Sequence, residues 1–208
     1  MAGGAARDMP AGPSEVLVIA DAAADPVAVC WDLLSQAEHG PDSQAIVISD
    51  EQNILNEVAR LLPVMAAGLP RAAILAKSLR YLRRILVGSI SEAVEISNRY
   101  APEHLILQIT NARAALEDVR NAGSVFVGAW TPESVGDYCS GTNHVLPTYG
   151  YADTYSGLGV DQFMRFMTVQ ELSRDGLSNI SSAVITLAGL EGLDAHAAAV
   201  SRRLEPSA

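Results

Sequence analysis

Short, uninterrupted apolar runs rich in β-branched residues recur along this chain, each followed by a segment with helical spacing. Val16 to Ala20 is the first. A run without polar alternation suits a strand buried on both faces, since a half-exposed strand would alternate. Asp25 and Pro26 then supply a helix start, an N-capping carboxylate followed by a preset φ at the first helical position. The spacing predicts a helix through Val29, Leu33 and Leu34 that stops at Gly40, with Pro41 behind it. Gln44 to Ser49 reads as a second strand, and Asp50 opens a helix towards Leu62. Further strands are predicted at Ile85–Gly88, Leu105–Ile109 and Ser124–Val127, with helices at Ser91–Tyr100 and Ala112–Val119. Strands that alternate with helices indicate an α/β fold, a parallel sheet with helices on both faces.

Gly128 to Gly159 breaks that rhythm. The stretch is rich in Gly, Pro, Thr, Tyr and Ser, and long irregular segments in compact domains are often functional. Beyond it the chain reads as a C-terminal helical tail, with helices at about Ser178–Leu190 and Asp194–Leu204. The expected division is an α/β domain over 1–158 and a helical arm over 159–208.

Composition narrows the function. A net charge of −10 offers no basic patch to displace counterions, which argues against nucleic acid. No stretch approaches the roughly 20 apolar residues that span a bilayer. Met1 to Gly12 lacks the basic start and apolar run of a signal peptide. Cys30 and Cys139 lie far apart and form no CxxC motif. These features set the expectation of a soluble, cytoplasmic protein.

Candidate chemistry clusters around a few polar residues. Gln36 and His39 are spaced to share one helix face near its C-terminus, which suits two ligands of one metal. Interaction of His39 with the helix end alone fits the same spacing. Glu103 and His104 follow Pro102, and a Glu–His pair suits proton transfer near neutrality. Adjacent strand residues face opposite ways, so both reach one cleft only if they sit in the turn before the strand. A surface pair is the alternative. Asp137 and His144 lie in a glycine-bearing polar loop that could offer a metal carboxylate and a substrate contact, or simply satisfy itself. Glu191 and His196 read as solvated helix residues, and Ser14 as part of a turn. Gln36, His39, Asp137 and His196 together would make a nitrogen–oxygen donor set suited to zinc, manganese or cobalt.

At these residues the chain resembles the histidinol dehydrogenase family. The resemblance is carried by Ala11–Asp21, Asp32–Gln44 with its Ser-Gln-Ala-Glu-His-Gly-Pro-Asp-Ser run, Ala101–Leu105, Asn121–Val125, Gly136–Tyr138, Gly141–Pro147 and Met167–Ser173, in family order. It implies an incomplete Rossmann-like domain and one Zn2+ per subunit, held by Gln36, His39, Asp137 and His196. It implies L-histidinol contacts from Ser14, His144 and Glu191, joined by His104 and the four metal ligands. It assigns proton transfer to Glu103 and His104. The implied activity is oxidation of L-histidinol through L-histidinal to L-histidine with reduction of two NAD. It further implies a homodimer in which the C-terminal helices cross over, so that Glu191 and His196 complete the other subunit's site, a domain swap.

The family's NAD-contacting residues lie in an N-terminal half that has no match here. No cofactor-binding residue is therefore expected in this chain, which also lacks GxGxxG. The alternative to the full enzyme is a redox-inactive remnant that still binds zinc and an imidazole ligand.

Overall fold

The structure is a computed structural model that describes residues 9–205. Residues 1–8, part of the N-terminal stretch read above as lacking a signal peptide, lie outside the described residues. The chain divides into two compact units, Met1–Met164 and Arg165–Ala208. The boundary expected between 158 and 159 lies a few residues earlier in the chain.

The first unit is built on five parallel strands: β1 (Glu15–Ala20), β2 (Gln44–Ser49), β3 (Arg83–Leu86), β4 (His104–Gln108) and β5 (Ser124–Val127). Their order is β3-β2-β1-β4-β5. β1 is central and pairs with β2 and β4, Val16 standing beside Ala45 and His104. It is buried at every position, which is why its sequence never alternates. Val16, Val18 and Ala20 face one core, with α1 (Pro26–Ala37), α2 (Gln52–Ala67) and Leu75 of α3 (Ala72–Ser78). Leu17 and Ile19 face the other, with α4 (Ile90–Tyr100) and Ala112 of the short α5 (Ala112–Ala115).

The helix boundaries depart from expectation in instructive ways. Asp25 caps α1 as expected, accepting from the Val27 N–H at 2.9 Å. The helix ends at Ala37 rather than Gly40: the Glu38 N–H still meets the Leu34 carbonyl in helical register, but the His39 N–H moves to the Gln36 carbonyl and tightens the last turn. His39 thus lies just past the helix. α2 runs past Leu62 and carries Pro63 inside it, since the buried stripe Ile54, Leu55, Val58 and Leu62 continues to Ala66. Core packing outweighs the missing proline N–H. β3 is shifted two residues upstream of the predicted Ile85–Gly88; its arginines are exposed at the sheet edge and hid the strand. The helix predicted over Ala112–Val119 is α5 plus a 3-10 turn at Leu116–Asp118. The irregular stretch contains one short helix, α6 (Glu133–Tyr138).

The second unit holds α7 (Arg174–Leu190) and α8 (Asp194–Leu204). α7 starts before the expected Ser178 because the Ser173 hydroxyl accepts the Gly176 N–H at 3.0 Å and caps it. Among the described residues no helix is long and apolar enough to cross a membrane.

Candidate functional site

The amino ends of the strands carry the polar residues. β1 begins at Glu15 and β4 at His104, side by side at the same sheet edge. The end of α1 and the turn through His39 lie there too, because α1 runs back against β1 before β2 begins at Gln44. Open α/β sheets usually bind ligands at the opposite, carboxyl edge.

Glu103 and His104 are both buried, and both are gripped by the backbone of Glu15. The Glu103 Oε2 accepts the Glu15 N–H at 2.8 Å. His104 Nδ1 lies 3.0 Å from the Glu15 carbonyl oxygen, so the ring donates there and its proton sits on Nδ1. That leaves Nε2 as an acceptor. Glu103 stands in the turn and His104 opens the strand, an arrangement that places Glu103 Oε2 3.5 Å from His104 Nδ1. Burial lowers the His104 pKa and keeps the imidazole neutral. Burial pushes Glu103 up to about 8, helped by the charges of Glu15 and Asp137. The imidazole packs near Phe126, ring centroids 5.9 Å apart and planes tilted by 40°.

Glu15 was not singled out by sequence. Its buried side chain accepts the Tyr149 N–H at 3.0 Å, so the loop that follows His144 is tied to the start of β1. Tyr149 has φ 56° and its ring lies over Gly12, where a Cβ would stand 2.2 Å from it.

The candidate metal ligands of the first unit lie close together. Gln36 Nε2 lies 3.3 Å from His39 Nδ1. Nitrogen or carboxylate oxygen atoms of His39, Asp137 and Glu133 lie within 4.8 Å of one another. Glu133 is the residue that sequence reading missed. It sits four positions before Asp137 on α6, so both carboxylates share a helix face; the irregular composition around it concealed the helix. α6 approaches closely because Gly136 lies on Phe126, where a Cβ would be 2.8 Å from ring carbons. Burial pushes Glu133 up to about 8, with Asp137 and Glu103 adding to the rise and only the Ser35 hydroxyl, 3.3 Å away, opposing it as a donor.

These residues fit a divalent cation. The Gln36 Oε1 is buried and has no partner, an orphan that a cation would satisfy. An amide oxygen, an imidazole and carboxylates form a donor set without sulfur, compatible with zinc, manganese or cobalt. The β1–α1 turn, by contrast, does not fit the phosphates of a dinucleotide. Asp21 already takes the Ala23 and Thr110 N–H groups at 2.9 and 2.7 Å, and Asp25 takes that of Val27. The amides that would cradle an anion are used by acids of this chain.

Ser14 is half-buried beside Glu15, its carbonyl accepting the Gln44 N–H at 3.0 Å. His144 is exposed in the irregular stretch, after Asn143 folds back on the Val145 N–H. Glu191 and His196 belong to the second unit, where both are exposed, Glu191 capping α7 and His196 in the first turn of α8.

A family profile described as histidinol dehydrogenase matches residues 1–204. This chain belongs to the histidinol dehydrogenase family. It is 55% identical over 202 residues to histidinol dehydrogenase of Photobacterium profundum, covering 97% of this chain and 46% of that protein. The same enzyme of Escherichia coli is 54% identical over 201 residues, with 97% and 46% covered. The crystal structure of histidinol dehydrogenase from Elizabethkingia anophelis superposes with a TM-score of 0.91 at 49% identity, covering 95% of this chain and 46% of that one. This histidinol dehydrogenase family chain therefore spans about half the length of the curated relatives it matches.

Proposed function

We propose that this chain carries the metal-binding and proton-transfer part of a histidinol dehydrogenase, which oxidises L-histidinol through L-histidinal to L-histidine. The observation that carries the reading is the locked imidazole of His104. Its Nδ1 is committed to the Glu15 carbonyl, so Nε2 is free to take the alcohol proton as hydride leaves the adjacent carbon. Glu103 is the base for the water that attacks the aldehyde. With its carboxyl pushed up to about 8, the fraction present as the carboxylate base grows as pH rises through that value.

Gln36, His39 and Asp137 would hold Zn2+ with His196 from a second subunit. Bound there, zinc would fix the orientation of the substrate's amine and imidazole and supply positive charge. Ser14, His144 and Glu191 would complete the L-histidinol contacts with His104 and the metal ligands. The reaction's hydride acceptor is NAD, and the residues that hold it are assigned outside this chain. A swapped homodimer is supported by the apolar surface of the second unit, where Phe166, Met167, Val169, Leu187 and Leu190 stand exposed. A reducing, cytoplasmic setting is supported by the unpaired, exposed Cys139.

The occupied β1–α1 turn favours one further reading for the chain by itself, that of a redox-inactive protein binding zinc and an imidazole ligand. Both readings expect calorimetric uptake of zinc and of L-histidinol by the purified chain. NAD reduction dependent on L-histidinol separates them. Uptake of neither zinc nor L-histidinol overturns both.

A further inference from the structure

Tyr149 stands in a backbone conformation that its bulk disfavours. Its φ is 56°, in the left-handed region, and Gly150 follows at 77°. A bulky residue keeps such a conformation where its surroundings hold it there. Two contacts do so. The Tyr149 ring lies on Gly12, where a Cβ would stand 2.2 and 2.6 Å from ring carbons. The Tyr149 N–H donates to Oε1 of Glu15 at 3.0 Å. That carboxylate is 1% exposed, has an oxygen without a partner and makes no salt bridge among the described residues. An apolar or amide side chain would spare that desolvation, but a carboxylate is the stronger acceptor for a loop amide.

These contacts join two segments far apart in sequence. Gly12 and Glu15 flank the turn of Ser14, and Tyr149 ends the run that begins at His144. The residues between His144 and Tyr149 are anchored as well. Leu146 and Thr148 are buried. Leu146 packs on Gly123 and Gly157, where an added Cβ would stand 3.2 and 2.7 Å from it. The Val145 N–H donates to Asn143 Oδ1 at 2.7 Å, and the Val145 carbonyl accepts the Leu158 N–H at 2.9 Å. A shift of Tyr149 is therefore passed to His144 through a packed segment.

We propose that Tyr149 is a positioning residue for L-histidinol, clasped by Gly12 and Glu15 so that the turn of Ser14 and the loop of His144 present their contacts together. The clasp rests on the reading of Ser14 and His144 as substrate contacts. It is separate from the metal donors, which stand at the end of α1 and on α6. It is also separate from the lock on His104, which uses the Glu15 backbone and survives any side chain there. Ordering two contacts before the substrate arrives lowers the entropy that binding must overcome. Loss of the clasp thus shows in affinity for L-histidinol and not in zinc uptake.

The test is calorimetry of zinc and of L-histidinol on the full 208-residue chain. Gly12→Ala is the decisive variant. Gly12 is exposed and outside the left-handed region, and its new Cβ meets chiefly a ring that can swing into solvent, so the fold is retained. With the ring displaced, L-histidinol affinity is expected to fall about 10-fold or more, as when a tenth of the chains keep the competent arrangement. Zinc affinity and melting temperature are expected to match the parent's. Glu15→Ala is expected to weaken L-histidinol likewise and to speed hydrogen exchange at the Tyr149 amide. Glu15→Gln restores an acceptor and is expected to recover most of both losses. Were Gly12→Ala to melt early, the Glu15→Ala and Glu15→Gln pair decides by the same readouts. Parent-like L-histidinol affinity in Gly12→Ala overturns the proposal, as does loss of zinc in step with L-histidinol. A parent chain that takes up zinc but not L-histidinol removes the substrate reading itself, whereas unchanged exchange at Tyr149 in Glu15→Ala removes the clasp alone.

Discussion

Removing the Glu133 charge should change how the metal-free fold responds to pH. Glu133 is buried, and desolvation raises its pKa from 4.5 to about 8 in the folded state. Between those values the folded chain holds a proton that the unfolded chain has released. The native state then binds more protons, so stability falls as pH rises through this window and is greatest below 4.5. One retained proton gives a slope of about −1.4 kcal/mol per pH unit. Across the whole window the ceiling is ~5 kcal/mol for this group. Urea unfolding in EDTA, at intervals from pH 5 to 8, measures the slope. In Glu133→Gln the profile should be shallower, and the variant should gain on the parent steadily as pH rises. Glu103, also pushed up to about 8, contributes a residual slope that Glu103→Gln should lessen, while Asp32, raised to about 6 by burial, and Glu15 keep some slope at the acid end. Saturating zinc should reverse the trend, because a bound cation favours the deprotonated carboxylates. Parallel profiles for parent and Glu133→Gln in EDTA would refute the reasoning, since the carboxyl would then titrate alike in both states.

Other consequences follow from single contacts. Gly123→Ala would place a Cβ 2.7 Å from the Glu103 carbonyl oxygen, which is backbone and cannot swing aside; a loss of about 1–3 kcal/mol is expected in thermal melts, and an unchanged Tm would contradict it. Pro63→Ala should stabilise α2 by roughly 2 kcal/mol, because the proline is exposed inside the helix and only its missing N–H is corrected; a neutral or negative change in urea midpoint would count against that. In a preparation that reduces NAD, His104→Ala should slow turnover by about 10²–10⁴-fold with zinc content unchanged, and equal loss of both would remove its role as base. In mixed dimers of His196→Ala with Asp137→Ala, activity should return at one of the two sites, where native Asp137 meets native His196; recovery at neither would exclude the swap.

The strands and the chemistry were unequally legible. β1, β2 and β4 can be read from their apolar runs, since burial on both faces writes itself into composition. β3 cannot, because an edge strand tolerates Arg83 and Arg84 and its position is set by pairing with β2. α6 was hidden for a related reason. It is short, it carries a glycine, and it is held by Phe126 and the end of α1 more than by its own propensity. Glu133 was therefore invisible as a neighbour of the site, although its spacing from Asp137 is that of one helix turn.

The sequence by itself determined the alternation of strands and helices, the capped start of α1 and the resemblance that names Gln36, His39, Glu103, His104 and Asp137. Only the tertiary structure decided that the site lies at the amino edge of the sheet, that the backbone of Glu15 grips both Glu103 and His104, and that Glu133 lies beside His39 and Asp137. Local pattern reports what each segment must bury. Which polar groups meet depends on strand order and on glycine-sized gaps between distant elements, and neither is encoded within any one segment.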